Sequence, residues 1–286
     1  MKILTEKRAV IGEGPIYNEI EQKLYFTNGY EKEILIYDFN SDTLTVKKTP
    51  LSVSALAFDS KNRLIVATEK GVFILNEDNF LTEIYDTKKY QIKYLNDIKV
   101  SPNGDLFVGT MSSKRKGVSS EVDGKLYKIT KDGVVTVLLD GLSLSNGLDW
   151  SLDETKFYHT DSDTKTIKEY NYNIDTGNIS FTGRSVLVDG VDGFTIGSDG
   201  NLYIGCWGHD HLAIVDTVTL KIVKYISLPC NIPTSCAFCG KNLDVLAVTT
   251  ASLNENLNEN NNAGFTHLIK LGVKGRNPYR YGGQND

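Results

Sequence analysis

Glu13, Asn96, Asn146 and Asp192 are hard oxygen donors, and each opens the same short pattern of residues. The six openings are Glu13 (EGPIY), Ser54 (SALAF), Asn96 (NDIKV), Asn146 (NGLDW), Asp192 (DGFTI) and Thr234 (TSCAF), spaced 41 to 50 residues apart. After each polar opening, apolar residues follow at the second and fourth positions. If the six positions converge, a Glu and an Asp face one another across a narrow space. Two such carboxylates repel unless one is protonated or a cation bridges them. With two amide oxygens and water they form a hard-oxygen set suited to Ca²⁺, Mg²⁺ or Mn²⁺. Carboxylates also bind Zn²⁺, but no Cys or His belongs to the six. The same spacing also fits six side chains that cap strand ends and hydrogen-bond to one another.

A repeat of 40 to 50 residues is the signature of a β-propeller blade, and blades surround one central channel. The opening stretches read as first strands lining that channel. Turn signals follow them, including SPNGD (101–105) and GSDGN (197–201), where Gly supplies positive φ. Second strands rich in β-branched and aromatic residues come next, such as LIVAT from Leu64 and LYIGC from Leu202. Third strands are visible at 32–39, 71–76, 124–130, 166–172 and 211–216. No amphipathic helical period competes. The expected fold is all-β: a six-bladed β-propeller of four-stranded blades in one domain over residues 1–286, with N- and C-terminal strands sharing a blade. That sharing hides edges a linear array would leave open.

The chain has 286 residues and a formal net charge of −5. With no basic block, it does not read as a nucleic-acid binder. The N-terminus does not read as a signal peptide, and no run approaches a membrane span. A cytoplasmic location is expected, as a monomer or weak homo-oligomer. Cys236 and Cys239 form a C-x-x-C pair inside a repeat strand, so they read as small sheet residues, not as half of a zinc ribbon. The Asn-rich stretch 254–264 reads as a surface loop before a last strand at 265–271. His159 and His267 read as sheet or core residues. His209 reads as a turn residue with some prospect of facing a ligand, and Trp207 reads as packing rather than pocket wall. The nucleophile-elbow and phosphate-loop patterns are absent.

Several longer stretches carry a resemblance: GEGPIY (12–17), NDIKVSPNGDLFVGTM (96–111), the segment 144–177, DGFTIGSDGNLYIGCWG (192–208), 233–252 and LGVKGRNPYRY (271–281). In this order and spacing they resemble the senescence marker protein/gluconolactonase family, also called regucalcin-like, over nearly the whole chain. The resemblance implies one divalent cation, Ca²⁺ favoured, held by Glu13, Asn146 and Asp192. It places Asn96 beside the metal, against substrate or water. It implies a lactone hydrolase with Asp192 and Asn96 as catalytic residues and a small lactone as partner. Relatives that act on other esters or phosphoesters, or that only bind Ca²⁺, are the alternatives. A WD- or kelch-type interaction propeller lacks its blade motifs here. The sequence departs from the family's sugar-lactone pattern at three places. Tyr94 stands where an Arg is common, Ile98 replaces the Gly of NDG, and Lys114 lies near the place of a sugar-contacting Glu. Tyr94 and Lys114 are therefore the expected substrate contacts, and aldonolactone specificity does not follow.

Overall fold

In a computed structural model, which describes residues 1–4, 7–114, 121–258 and 262–283, the chain forms six four-stranded antiparallel sheets. Each sheet is one blade. The inner strands are Gly12–Asn18, Val53–Phe58, Leu95–Val100, Ser145–Trp150, Val191–Ile196 and Pro233–Cys239. Five blades are consecutive meanders. The sixth takes its first three strands from the C-terminal part of the chain and its outer strand, Lys2–Ile3, from the N-terminus. Lys2 pairs with Leu268 and Ile3 with His267, so the termini do share a blade. The only helical elements among the described residues are two 3₁₀ turns, Gly29–Glu31 and Ser162–Thr164.

The core lies between blades. Six buried apolar clusters occupy the six junctions of neighbouring sheets, because an inner or middle strand meets another blade on each face. The inner strand Ser145–Trp150 is buried at every residue, whereas the outer strand Lys221–Ser227 buries none fully. Hence the near-continuous apolar runs of inner and second strands and the polar outer ones. Trp150, fully buried, meets Phe107 edge-on at 5.0 Å across one such junction, a favoured aromatic geometry. His159 and His267 are buried in strands, and all four cysteines are buried and unpaired. The last strand runs from His267 to Lys270. Part of the Asn-rich stretch before it, 259–261, lies outside the described residues.

Each inner strand contains a register shift against its neighbour near its start: between Glu13 and Ile16, Val53 and Ala55, Leu95 and Ile98, Asn146 and Leu148, Val191 and Phe194, and Pro233 and Ser235. A bulge bends a strand and re-aims a side chain. Here it recurs in each blade at the polar opening.

From Gly272 onward the chain forms no strand. It runs across the end of the propeller where the first and second strands of each blade turn. Ser198 N–H donates to the Lys274 carbonyl (2.7 Å) and Gly275 N–H to Leu243 (2.9 Å). Tyr279 Oη donates to Glu154 (2.6 Å), Arg280 reaches Glu19 and Asn62 (2.9 and 2.8 Å), and Tyr281 Oη donates to Thr130 (2.6 Å). These contacts touch every blade. Gly275 is required by close approach, since a Cβ there would sit 2.2 Å from that of Phe238.

Candidate metal centre

A cavity of about 590 Å³ opens at the end of the channel where the inner strands begin, and Glu13, Ser54, Asn96, Asn146 and Asp192 line it. Five of the six repeat openings therefore share one wall. Thr234 is the exception. It is fully buried, and its hydroxyl donates to the Gly12 carbonyl (2.5 Å) and pairs with Thr249 (2.9 Å). Its position lies at the ring closure, where blade six must be joined to blade one, and the side chain does that instead.

Asn146 and Asp192 are 6% and 5% exposed, and the Asn146 amide donates directly to Asp192 Oδ1. Their strands approach closely because glycine follows each. A Cβ at Gly147 would lie 2.5 Å from the Asp192 carbonyl oxygen, and one at Gly193 would lie 2.2 Å from Ser235 Oγ. The glycines of SNG and DG are thus packing requirements of the same strands that carry the polar residues. Asn96 Nδ2 donates to the Ser145 carbonyl (3.0 Å), which fixes the plane of its amide. Ser145 Oγ pairs in turn with buried His159 Nε2 (2.8 Å). Burial holds that imidazole down at about 3, so it stays neutral and structural.

Burial, then the charges of Asp192 and Asp97, push the Glu13 carboxyl well above the ordinary carboxylate range; a backbone N–H from Gly14 at 3.2 Å opposes this. A half-buried carboxylate at the cavity wall, faced by two others and helped by one neutral donor, is a site that a cation would relieve. Two carboxylates and two amides also match the oxygen preference of a hard dication, so the residues present fit the group. Among the described residues no three Asp, Glu, His or Cys side chains converge on one point. Amide oxygens and water must therefore supply part of any coordination shell.

Below the ring, burial pushes the Asp97 carboxyl from 3.8 up to about 6, against the pull of Lys99. The folded chain then holds this proton to higher pH than the unfolded chain does. Stability of the cation-free protein falls as pH rises through the window from 3.8 to about 6. Glu13 acts in the same direction. Asp97→Asn is expected to flatten that slope and to stabilise the cation-free protein at neutral pH by about 1–2 kcal/mol. Urea unfolding in chelator at several pH values measures this, and an unchanged slope in the variant contradicts the assignment.

Tyr94 and Lys114 are not among the residues lining the cavity. Tyr94 is 52% exposed on a left-handed backbone (φ 55°), and Lys114 lies 3.5 Å from Glu121. That side of the wall is made by Met111 and Leu144, joined by an isolated β-bridge. Trp207 and His209, by contrast, do line the cavity, so Trp207 is wall rather than interior packing. The antiparallel strand order decides this. A connection between second and third strands returns to the end where first strands begin, so Tyr30, Asp163, Lys165, Trp207 and His209 all reach the rim. Lys165 and His209 both face Asp189, at 2.6 and 3.4 Å.

The family description SMP-30/Gluconolactonase/LRE-like region matches residues 11–252, most of the chain. The chain belongs to that family. It is 31% identical to human regucalcin over 287 aligned residues, covering 95% of each protein. It is 32% identical to a Bacillus subtilis (strain 168) protein provisionally named sugar lactone lactonase YvrE, over 86% of this chain and 85% of that one. Among solved structures, the calcium-binding protein regucalcin of Agrobacterium tumefaciens superposes with a TM-score of 0.87 at 25% identity, covering 98% of this chain and 96% of the other. A luciferin-regenerating enzyme also superposes at 0.87, at 28% identity and 96% of both chains. Membership of the gluconolactonase family supports a lactonase-like activity. No helix among the described residues is long and apolar enough to cross a membrane.

Proposed function

We propose that this protein opens lactones by hydrolysis with one divalent cation held by Glu13, Asn146 and Asp192. The observation that carries the reading is the shared wall. Residues from blades one, three, four and five, far apart in sequence, bring two carboxylates and two amides to one cavity. When bound, the cation supplies Lewis acidity to a carbonyl oxygen seated there. Asn96, its amide plane fixed by Ser145, orients the attacking water or the ester. The Asp192 carboxylate, whose Oδ1 is held by the Asn146 amide, accepts the proton of that water at Oδ2 and returns it to the departing ring oxygen. One water is added, the ring C–O bond breaks, and a hydroxy acid leaves. Glu13 and Asn146 hold and orient. The rim residues Met111, Leu144 and Trp207 give the cavity an apolar side, which favours lactones less polar than aldonolactones.

A second reading, cation binding without turnover, is supported by the calcium-binding description of the Agrobacterium relative. Turnover separates the two. A panel of aldonolactones and alkyl lactones is assayed with Ca²⁺, Mg²⁺, Mn²⁺ and Zn²⁺, following with a pH indicator the proton released as the product acid ionises. Cation-dependent opening of at least one lactone is the expected result. Cation binding without opening of any lactone or ester would remove the hydrolase reading and leave the binding one. Four buried, unpaired cysteines suit a reducing, cytoplasmic compartment.

A further inference from the structure

Asp149 takes no part in the proposed chemistry, yet both of its carboxylate oxygens are heavily engaged. It is 3% exposed on the inner strand of blade four, three residues past Asn146. Its Oδ2 accepts from Lys99 Nζ (2.9 Å), Ile196 N–H (3.1 Å) and Thr195 Oγ (3.3 Å). Its Oδ1 accepts from Trp150 N–H (2.8 Å) and from the Arg276 guanidinium. Lys99 also donates to the Phe194 carbonyl at 3.1 Å. Lys99 lies three residues past Asn96 on blade three, and Phe194, Thr195 and Ile196 follow Asp192 on blade five. One buried carboxylate therefore ties together the three inner strands that carry Asn96, Asn146 and Asp192, just below those residues. A small cavity of about 80 Å³ continues the channel at this level, lined by Asp97, Lys99, Asp149 and Arg276 among others.

Arg276 arrives from the C-terminal segment. Besides Asp149 its guanidinium donates to the carbonyls of Trp150 (3.1 Å) and Ser151 (3.3 Å) and to Tyr279 Oη (2.9 Å). The guanidinium's five donors reach the carboxylate, both carbonyls and the tyrosine hydroxyl together, whereas an ammonium has three donors and no fixed fork. Without it, Asp149 keeps one cation partner, the Trp150 carbonyl loses the guanidinium donor and the Ser151 carbonyl keeps the Glu154 N–H at 3.0 Å, a costly state for the buried carboxylate. The strands are then free to adjust by fractions of an ångström, and cation affinity is sensitive to such adjustments in the groups behind the ligands.

We propose that Arg276, acting through Asp149, is a positioning residue that sets the spacing of the cation-holding side chains from below. The inference rests on the cation reading of the cavity. The test compares Ca²⁺ affinity by calorimetry with the unfolding temperature of the cation-free protein for the full chain and four variants. Arg276→Met is expected to weaken Ca²⁺ binding on the order of tenfold, and Arg276→Lys to recover part of that loss. Tyr281→Phe, on the same segment but bonded to the Thr130 carbonyl, is expected to lower the unfolding temperature and leave affinity unchanged. If Arg276→Met does not fold, Arg276→Gln carries the same expectation. A folded Met or Gln variant with wild-type affinity overturns the inference. So does an equal loss of affinity in Tyr281→Phe, since the effect would then follow global stability. Where the wild-type protein prefers Mg²⁺, Mn²⁺ or Zn²⁺, the same comparison is made with that ion; wild-type protein that binds none of the four instead removes the cation reading itself, and this inference with it.

Discussion

Asp192→Ala is expected to abolish lactone opening and to weaken cation affinity roughly 100-fold or more in the same protein. Groups that merely stand behind a metal ligand commonly cost 10- to 100-fold when removed, and Asp192 is proposed as a ligand itself. The loss has two components. The carboxylate proposed as ligand and proton acceptor disappears, and the Asn146 amide loses the acceptor that fixes its orientation. The side chain is 5% exposed, so Asp192→Asn serves as the near-isosteric companion that keeps the cavity filled. Both variants are expected to fold, as judged by circular dichroism. A folded Asp192→Asn enzyme with wild-type turnover would eliminate Asp192 from the chemistry, and one with wild-type affinity would eliminate it from the cation shell.

Ending the chain after Leu271 is expected to destabilise it by at least about 5 kcal/mol, or ~10 °C or more in unfolding temperature at the ~2–4 °C per kcal/mol typical of large domains. The removed segment bridges the strand-one-to-two turns of the blades, including contacts through Lys274 and Gly275 and through Arg280 and Tyr281. Tyr281 itself is 7% exposed within the core between blades two and three. Loss of Arg276 also leaves buried Asp149 short of one cation, a change that alone costs about 3–5 kcal/mol when a buried pair is broken. Thermal unfolding of the shortened chain measures this. An unfolding temperature within a few degrees of the full chain would show that the ring closure by Lys2–Ile3 suffices without the segment.

The fold was readable because one geometric unit recurs. Period, turn chemistry and strand composition agreed in every blade, and the unassigned N-terminal stretch had one available edge to fill. The meeting of five openings at one cavity was readable for a related reason: equivalent positions of a closed repeat must converge. What the repeat could not display is where symmetry breaks. Thr234 matches the other five openings in sequence, but closure turns its hydroxyl to Gly12. The bulge that aims Glu13, Asn96, Asn146 and Asp192 into the cavity leaves no residue-type signal of its own beyond the glycines at 14, 147 and 193. Trp207 and His209 were legible in principle, since strand parity alone sends the connection after the second strand to the open end. Tyr94 stands two residues before Asn96 in sequence, yet Met111 and Leu144 form the wall there. The segment 271–281 could be matched as a string but not placed, because it has no strand pattern and its partners are six separate turns. Asp149 and Arg276 lie 127 residues apart in the chain, and nothing in the stretches NGLDW and LGVKGRNPYRY that hold them signals that they pair.

Everything turns on oxygen atoms from distant strands holding one dication at the mouth of the channel. Crystals soaked with Mn²⁺ and measured for anomalous scattering test that claim directly. One strong peak within coordinating distance of Glu13, Asn146 and Asp192, with Asn96 beside it, is the expected result. A map with no peak there at saturating Mn²⁺, or with its peak at another place, contradicts the account.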